Sequence, residues 1–390
     1  MQLHERPVFP RGFRCASRNS GLKATAKDLA LFVSDVDAEA AALFTRNHFP
    51  GAPVILGRET MHSGGGRLRA IVANSKCSNV ATGSRGLENA RRMAVATATE
   101  LGTRAEHVLV SSTGVIGVQL PIETIERGIR GMRADLQDDP LVGAEGIMTT
   151  DTHPKALSAS VGDATVTWVA KGSGMIEPNM ATLLVFIFTD ALVESSLLEG
   201  MLRTSVGASF NMLSVDSDTS TSDTCAILAN GMAGAVDNRE LARVLTAGCI
   251  RMTEILARDG EGAEHLLRVI VRNAASETEA RRVAKSVVNS PLVKTMVHGA
   301  DPNVGRLLMA VGKCVDCTVR PESTEAWING LAVVREGQRL DFDENLVRAS
   351  LRTEVVDLEI SLGVGDGRAT AYGCDLSQGY VDENAAYYSS

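Results

Sequence analysis

The sequence predicts an α/β protein of mixed α+β layers, sheets packed with helices, with a smaller C-terminal α/β domain. Three observations carry this expectation. Strand-like apolar runs alternate with helical amphipathic stretches through the first half of the chain. The run Leu183-Leu-Val-Phe-Ile-Phe188 is continuously apolar, as in a strand buried on both faces. A chain of 390 residues also exceeds the usual size of one hydrophobic core, and a soft boundary near 275 divides it into domains of 1–275 and 276–390.

The elements follow in order. Residues 69–75 read as a strand, and Leu87 to Leu101 as a helix with small or apolar residues at 87, 90, 94, 98 and 101, ended by Gly102. Val108 to Val110 is a short strand leading into Ser111-Ser-Thr-Gly114, and Pro121 opens a second helix, its fixed φ suited to the first turn. Ala164 to Val169 is a strand that delivers the chain to a Gly-rich turn at Lys171. The clearest helix spans Arg239 to Ala257, with Leu241, Val244, Leu245, Cys249, Met252, Ile255 and Leu256 on one face. Asp237 or Asn238 is its N-cap, and Gly260 stands at its end. Beyond 275 come a helix, short strands and acidic turns such as Asp341-Phe-Asp-Glu344.

Composition narrows the function. A formal charge of −8 with no dense Lys/Arg run disfavours a nucleic-acid surface. The longest apolar run is far short of a membrane span, and the first thirty residues carry charges and no apolar core segment, so no membrane or secretory address is expected and the location is cytoplasmic. Seven scattered cysteines suggest reduced thiols. Cys314-Val-Asp-Cys317 has half the spacing of a zinc site but no second pair, so no metal is expected. Neither Gly64-Gly-Gly66 nor Lys171-Gly-Ser-Gly174 has phosphate-loop spacing.

The chemistry centres on Lys171-Gly-Ser-Gly-Met-Ile-Glu-Pro-Asn-Met-Ala-Thr182, which runs straight into the buried strand. A threonine that opens such a strand is rigidly held, and its hydroxyl can be aimed. Cutting the Ala181–Thr182 bond places nucleophile and base on one residue, because the new α-amine titrates near ~7.7–8. Acyl transfer also needs donors for an oxyanion, and at Thr113-Gly114 a hydroxyl and a backbone N–H converge on a strand-to-turn junction. Lys171 stands in a small-residue turn open to a ligand, and Glu261 in Asp259-Gly-Glu-Gly262 offers a carboxylate to an ammonium group.

These words resemble the ornithine acetyltransferase family, the self-cleaving N-terminal-threonine enzymes of the cyclic acetyl route to arginine. The likeness runs through Lys27-Asp-Leu-Ala-Leu-Phe-Val-Ser-Asp35, Phe44-Thr-Arg-Asn-His-Phe49, Ser112-Thr-Gly-Val-Ile-Gly117 and Met148-Thr-Thr-Asp-Thr152. It continues in Asp218-Thr-Ser-Thr-Ser-Asp-Thr224, Asp259-Gly-Glu-Gly262, Asn289-Ser-Pro-Leu-Val-Lys-Thr295 and the tail Asn384 to Ser390. The resemblance implies cleavage between Ala181 and Thr182, into an α chain 1–181 and a β chain 182–390 that associate as α2β2 or a larger assembly. It implies Thr182 as nucleophile, Thr113 and Gly114 as the oxyanion hole, and Thr149, Lys171, Thr182, Glu261, Asn384 and Ser389 as substrate contacts. The implied reaction moves an acetyl group from N-acetylornithine to glutamate without a bound cofactor. Some family members accept acetyl-CoA as the donor, and no residue here decides that point.

Some positions depart from the commoner pattern. The segment that usually reads Asn-Ser-Gly-Asn-Ala-Asn-Ala-Cys-Thr-Gly is here Asn74-Ser-Lys-Cys-Ser-Asn-Val-Ala-Thr-Gly83. A usual His is Glu177, and a usual Trp is Val304. The Glu-Pro and Asn-Val-Ala-Thr-Gly variants resemble the branch associated with clavulanic-acid clusters. The nucleophile and oxyanion pair are unaltered, so acyl transfer is expected while the donor stays open. Two other readings remain at this stage: an N-terminal-nucleophile amidase or aminopeptidase that uses water as acceptor, and an inactive binding protein.

Overall fold

A computed structural model describes residues 2–177 and 183–385, and they form two compact units. The first takes residues up to Gly172, 183–211 and Thr219–Met252; the second takes Ser173–Glu177, Met212–Asp218 and residues from 253 onward. The division falls inside the helix Asn238–Arg258, and the strand Leu266–Ala274, on the N-terminal side of the expected 275 boundary, belongs to the second unit. That strand pairs with Val355–Ser361 and Gly367–Cys374, partners roughly 90 to 110 residues away that local sequence does not reveal.

The first unit holds an eight-stranded mixed sheet. Its order is Val108–Ser112, Arg67–Asn74, Leu29–Phe44, Thr224–Gly234, Leu184–Ala191, Ala164–Lys171 and Lys155–Val161, with Phe13–Arg18 paired beside Leu29–Phe44. Successive side chains of a strand point to opposite faces, and here both faces are covered. Leu29, Leu31, Ala70, Val72, Val108 and Val110 pack with Met93 and Ile125 of the helices Gly83–Leu101 and Ile122–Ile129. The alternate residues Ala30, Phe32, Ile71 and Leu109 join Phe186 and Phe188 on the other face, where the Phe32 ring lies 5.4 Å from each of those two rings. The apolar run after Thr182 is thus a central strand, Leu184–Ala191, with every residue buried.

The second unit has a seven-stranded sheet in the order Gln338–Arg339, Leu331–Arg335, Glu325–Ile328, Val355–Ser361, Leu266–Ala274, Gly367–Cys374 and Leu213–Ser214. The helix Glu277–Val288 lays Ala280, Val283, Ala284, Val287 and Val288 against it. Both units therefore have the expected mixed α/β character.

Local chemistry explains the element ends. Gly102 closes its helix in the left-handed conformation at φ +68°, its N–H returning to the Ala98 and Thr99 carbonyls. Asp237 is the cap of the long helix, its Oδ1 accepting from Arg239 N at 2.7 Å and Glu240 N at 3.1 Å. Of the expected face, all but the half-buried Ile255 are buried. Pro121 sits one position earlier than expected, as the N-cap of Ile122–Ile129 rather than in its first turn.

Candidate active site

Thr113 follows the end of the strand Val108–Ser112, its N–H bonded to the Asn74 carbonyl at 3.0 Å. Gly114 is left-handed at φ +126°, and its Cα packs on backbone: a Cβ there would lie 2.3 Å from the Lys76 carbonyl carbon. Only glycine meets both demands. The turn is clamped on its far side, where Val115 N donates to the Lys76 carbonyl and Ser78 N to the Val115 carbonyl, each at 3.0 Å. Among the described residues no group accepts from the Gly114 N–H.

Lys171, buried at the end of its strand, donates from Nζ to Thr113 Oγ1 at 3.3 Å. A hydroxyl that accepts from an ammonium turns its own proton elsewhere, so the contact orients Thr113 as a donor. The next peptide is anchored by Asp151, whose Oδ1 accepts from Gly172 N at 2.7 Å and Lys155 Nζ at 2.6 Å. The other oxygen of Asp151 accepts from Thr149 N at 2.9 Å. Burial alone raises a carboxyl's pKa, but the charges of Lys171 and Lys155 and these hydrogen bonds outweigh it and hold Asp151 down to about 2. Lys23 braces the same region by donating to the Met148 carbonyl at 2.7 Å. Its pKa is lowered by burial, against the pull of Asp28 and Asp151. Asp223 is a further carboxyl in the field of Lys171. Burial pushes it well above the carboxylate range, against Ser220, Thr45 and Lys171, and among the described residues its Oδ2 has no hydrogen-bond partner.

The second unit assembles the other acidic contact. The Glu261 carboxylate lies directly on Gly174, where a Cβ would come within 2.2 Å of its Cδ, and Glu261 N donates to the Ser173 carbonyl at 2.9 Å. Gly262, at φ +66°, lets the backbone of Gly379 and Tyr380 approach so closely that a Cβ would stand 2.2 Å from Tyr380 N. The tail helix Gln378–Asn384 thereby reaches the turn, and Asn384 Nδ2 donates to Glu261 Oε2 at 2.7 Å. Asp216 holds the strand of chain after Gly174, accepting from Met175 N at 2.6 Å and Ile176 N at 2.9 Å.

The structure therefore brings Thr113, Gly114, Lys171 and Thr149 together in the first unit, and Glu261 with Asn384 in the second. Ala181, Thr182 and Ser389 lie outside the described residues. The sequence reading missed Asp151, Lys155, Asp216 and Asp223 as site-supporting groups. A carboxylate and an ammonium four residues apart, Asp151 and Lys155, inside a short polar segment before a strand were the available signal.

The departures from the common pattern have distinct fates. Cys77 and Ser78 are buried and bonded to the Val118 and Val115 carbonyls, while Lys76 is exposed. Glu177 pairs with Lys285 at 2.8 Å and accepts from Asn289 Nδ2 at 3.1 Å. Val304 is buried as the N-cap of Gly305–Gly312. Among the described residues one metal-compatible group occurs, Glu264, His265 and Asp375. Its Asp375 already accepts from Glu264 N and His265 N at 2.9 Å and contacts His298 Nδ1 at 3.0 Å. No described helix is long and apolar enough to cross a membrane.

Comparison with known proteins identifies the family. A Clostridium acetobutylicum protein named arginine biosynthesis bifunctional protein ArgJ 2 is 41% identical over 382 residues, 97% of this chain and 98% of that one. The glutamate N-acetyltransferase Oat2 of Streptomyces clavuligerus is 42% identical over 388 residues, 98% of each. Among solved structures, the Mycobacterium tuberculosis ornithine acetyltransferase complexed with ornithine is 37% identical, covers 46% of this chain and 99% of that one, and has a TM-score of 0.44. Residues 14–389 match the sequence profile described as the ArgJ family, and with that span matched and such relatives covering nearly the whole length, the chain belongs to the ArgJ family.

Proposed function

We propose that this chain is a self-processing acetyltransferase that carries the acetyl group of N2-acetyl-L-ornithine to L-glutamate through an acyl-threonine, in arginine biosynthesis or a related specialised pathway. The observation that carries the reading is the prepared donor pair: Thr113, oriented by Lys171 Nζ at 3.3 Å, beside the left-handed Gly114. Donors fixed before charge develops are what an acyl-transfer transition state requires. The family relatives named as acetyltransferases disfavour the amidase reading.

In the processing step Thr182 Oγ bonds to the Ala181 carbonyl carbon and the peptide C–N bond breaks. The hydroxyl proton passes to the departing nitrogen, which becomes the α-amine of Thr182. Water then hydrolyses the ester, leaving the Ala181 carboxylate and a free Thr182 hydroxyl. In turnover that hydroxyl attacks the acetyl carbon of the donor, and the Thr182 α-amine takes its proton and returns it to the leaving amine. Glutamate's amine attacks the acetyl-threonine by the reverse sequence. Thr113 and Gly114 hold the oxyanion in each half, Lys171 serves the substrate carboxylate, and Glu261, with Asn384 on its Oε2, serves a side-chain ammonium. Thr149 and Ser389 complete the substrate contacts. The steps call on no metal or bound cofactor, and the α and β chains stay associated in the cytoplasm as α2β2 or larger.

Denaturing mass spectrometry is expected to give fragments beginning at Met1 and Thr182, and Thr182→Ala a single inactive chain. Efficient cleavage of that variant would refute autocatalysis. N-acetylglutamate formation across a panel of N-acetyl amino acids, with acetyl-CoA as a further donor, tests the substrate. Turnover of another donor with none of N-acetylornithine would overturn the ornithine assignment and leave acyl transfer standing.

A further inference from the structure

We propose that Asp151 is the positioning residue of this site: one buried carboxylate fixes the Thr149 backbone, the Lys171–Gly172 turn and, through Lys171, the hydroxyl of Thr113. The inference rests on the reading of Thr113 as an oxyanion donor and adds to it the group that aims that donor.

Two local donors, one on each side of Asp151 in sequence, and a third from the end of a separate strand twenty-one residues on converge on this carboxylate. Oδ2 takes the N–H of Thr149 at 2.9 Å, just past the helix Pro140–Ile147. Oδ1 takes Lys155 Nζ at 2.6 Å, at the start of the edge strand Lys155–Val161. It also takes the N–H of Gly172 at 2.7 Å, where the strand Ala164–Lys171 ends. Aspartate is short, with two torsions, so satisfying all three donors leaves it little freedom.

The pair that Asp151 makes with Lys155 argues for positioning over stability. Both side chains are 0% exposed, and a dry ion pair is often no more stabilising than an apolar pair of similar volume. What it supplies is direction. The charged groups that face Asp151 are Lys155 and Lys171, with Lys23 close by on the Met148 carbonyl. With Gly172 tethered, the end of its strand cannot slide, and Lys171 keeps its reach to Thr113 Oγ1 at 3.3 Å. The Thr113 proton is then directed away from Lys171, toward a ligand oxygen.

The test is a double-mutant cycle on the full chain, read as the rate of precursor cleavage and as kcat for acetyl transfer per cleaved chain. Asp151→Asn keeps the shape and removes the charge. Asp151→Asn with Lys155→Met removes both charges, so that a buried lysine without its carboxylate does not obscure the result. Asp151→Asn is expected to slow both rates on the order of a hundred-fold, the loss associated with roughly ångström misplacement, with a smaller change in KM. Combined with Thr113→Ala, it should add no further loss. The Lys155→Met partner change should restore thermal stability but not rate. If the losses of Asp151→Asn and Thr113→Ala multiply, or if Lys155→Met restores rate together with stability, Asp151 is structural only and the proposal fails while the oxyanion reading stands. A Thr113→Ala rate within twofold of wild type removes the oxyanion reading and this proposal with it.

Discussion

Gly114→Ala is the sharpest single perturbation of the donor pair, because the structure specifies both of its costs. At φ +126° an alanine is strained, by about 1–3 kcal/mol for a sparsely populated backbone region. Its methyl would also stand 2.3 Å from the Lys76 carbonyl carbon, 2.5 Å from the Lys76 oxygen and 2.7 Å from Cys77 N. These are backbone atoms, and no rotamer change moves them. Reaching even the 3.0 Å limit of real contacts separates the Thr113–Gly114 and Lys76–Cys77 segments by about 0.7 Å. A shift of that order at an oxyanion donor costs about a hundred-fold in rate. The strain lowers the melting temperature as well, by roughly 2–4 °C per kcal/mol for a unit of this size. The assay pairs kcat for N-acetylglutamate formation with a thermal melt of the same sample. A kcat within twofold of wild type with an unchanged melt would show that the turn accepts a Cβ, and the geometric argument for Gly114 would be wrong.

Other expectations follow from single contacts. Gly248→Ala should destabilise by about 1–3 kcal/mol in urea unfolding, since the added methyl would meet Trp168 Cζ2 at 2.2 Å, although alanine ordinarily gains about 1 kcal/mol over glycine in a helix. Asp151 is held down to about 2, below its unfolded value, so its stabilisation is fully present above about pH 4 and is lost as pH falls through about 2. Stability against pH should steepen over that window by on the order of 2 kcal/mol, and Asp151→Asn should flatten it. Asp223 has the opposite sign: burial raises it, so stability present below the unfolded carboxyl value drains as pH rises. Asp223→Asn should therefore be more stable than wild type at pH 7 and not at pH 3. Six cysteines are buried and Cys317 is partly exposed, so a thiol reagent should modify one thiol of the native chain quickly; burial pushes Cys15 and Cys249 up to about 12.

The fold was legible where one local period persisted. The helix Asn238–Arg258 and the strands Arg67–Asn74, Val108–Ser112 and Leu184–Ala191 each fall within a few residues of expectation. The sixteen-residue strand Leu29–Phe44 was not read as one strand, because its pattern breaks midway. Asp35, Val36 and Asp37 are exposed, and the register with Arg67–Asn74 shifts between Val33 and Ala38. Such an irregularity interrupts the alternation on which strand reading depends.

The site divides along a similar line. Thr113, Gly114, Lys171 and Glu261 were singled out because the motifs around them resemble those of the family, whereas the role proposed for Asp151 depends on Gly172, a donor twenty-one residues away that only the fold brings to it. The substitution at Lys76 shows what such convergence tolerates. Lys76 stands at φ +80°, where the commoner family pattern has a glycine, and its carbonyl forms the surface on which Gly114 packs. Two left-handed residues thus meet back to back through backbone atoms. Gly114 has no room for a side chain, but Lys76 is exposed, so its side chain leaves the contact without crossing it. The packing of Gly114 on position 76 uses only backbone atoms, while the lysine adds a charge on the exposed side of the turn. A substitution at position 76 therefore changes the charge at the turn and leaves in place the backbone atoms against which Gly114 packs.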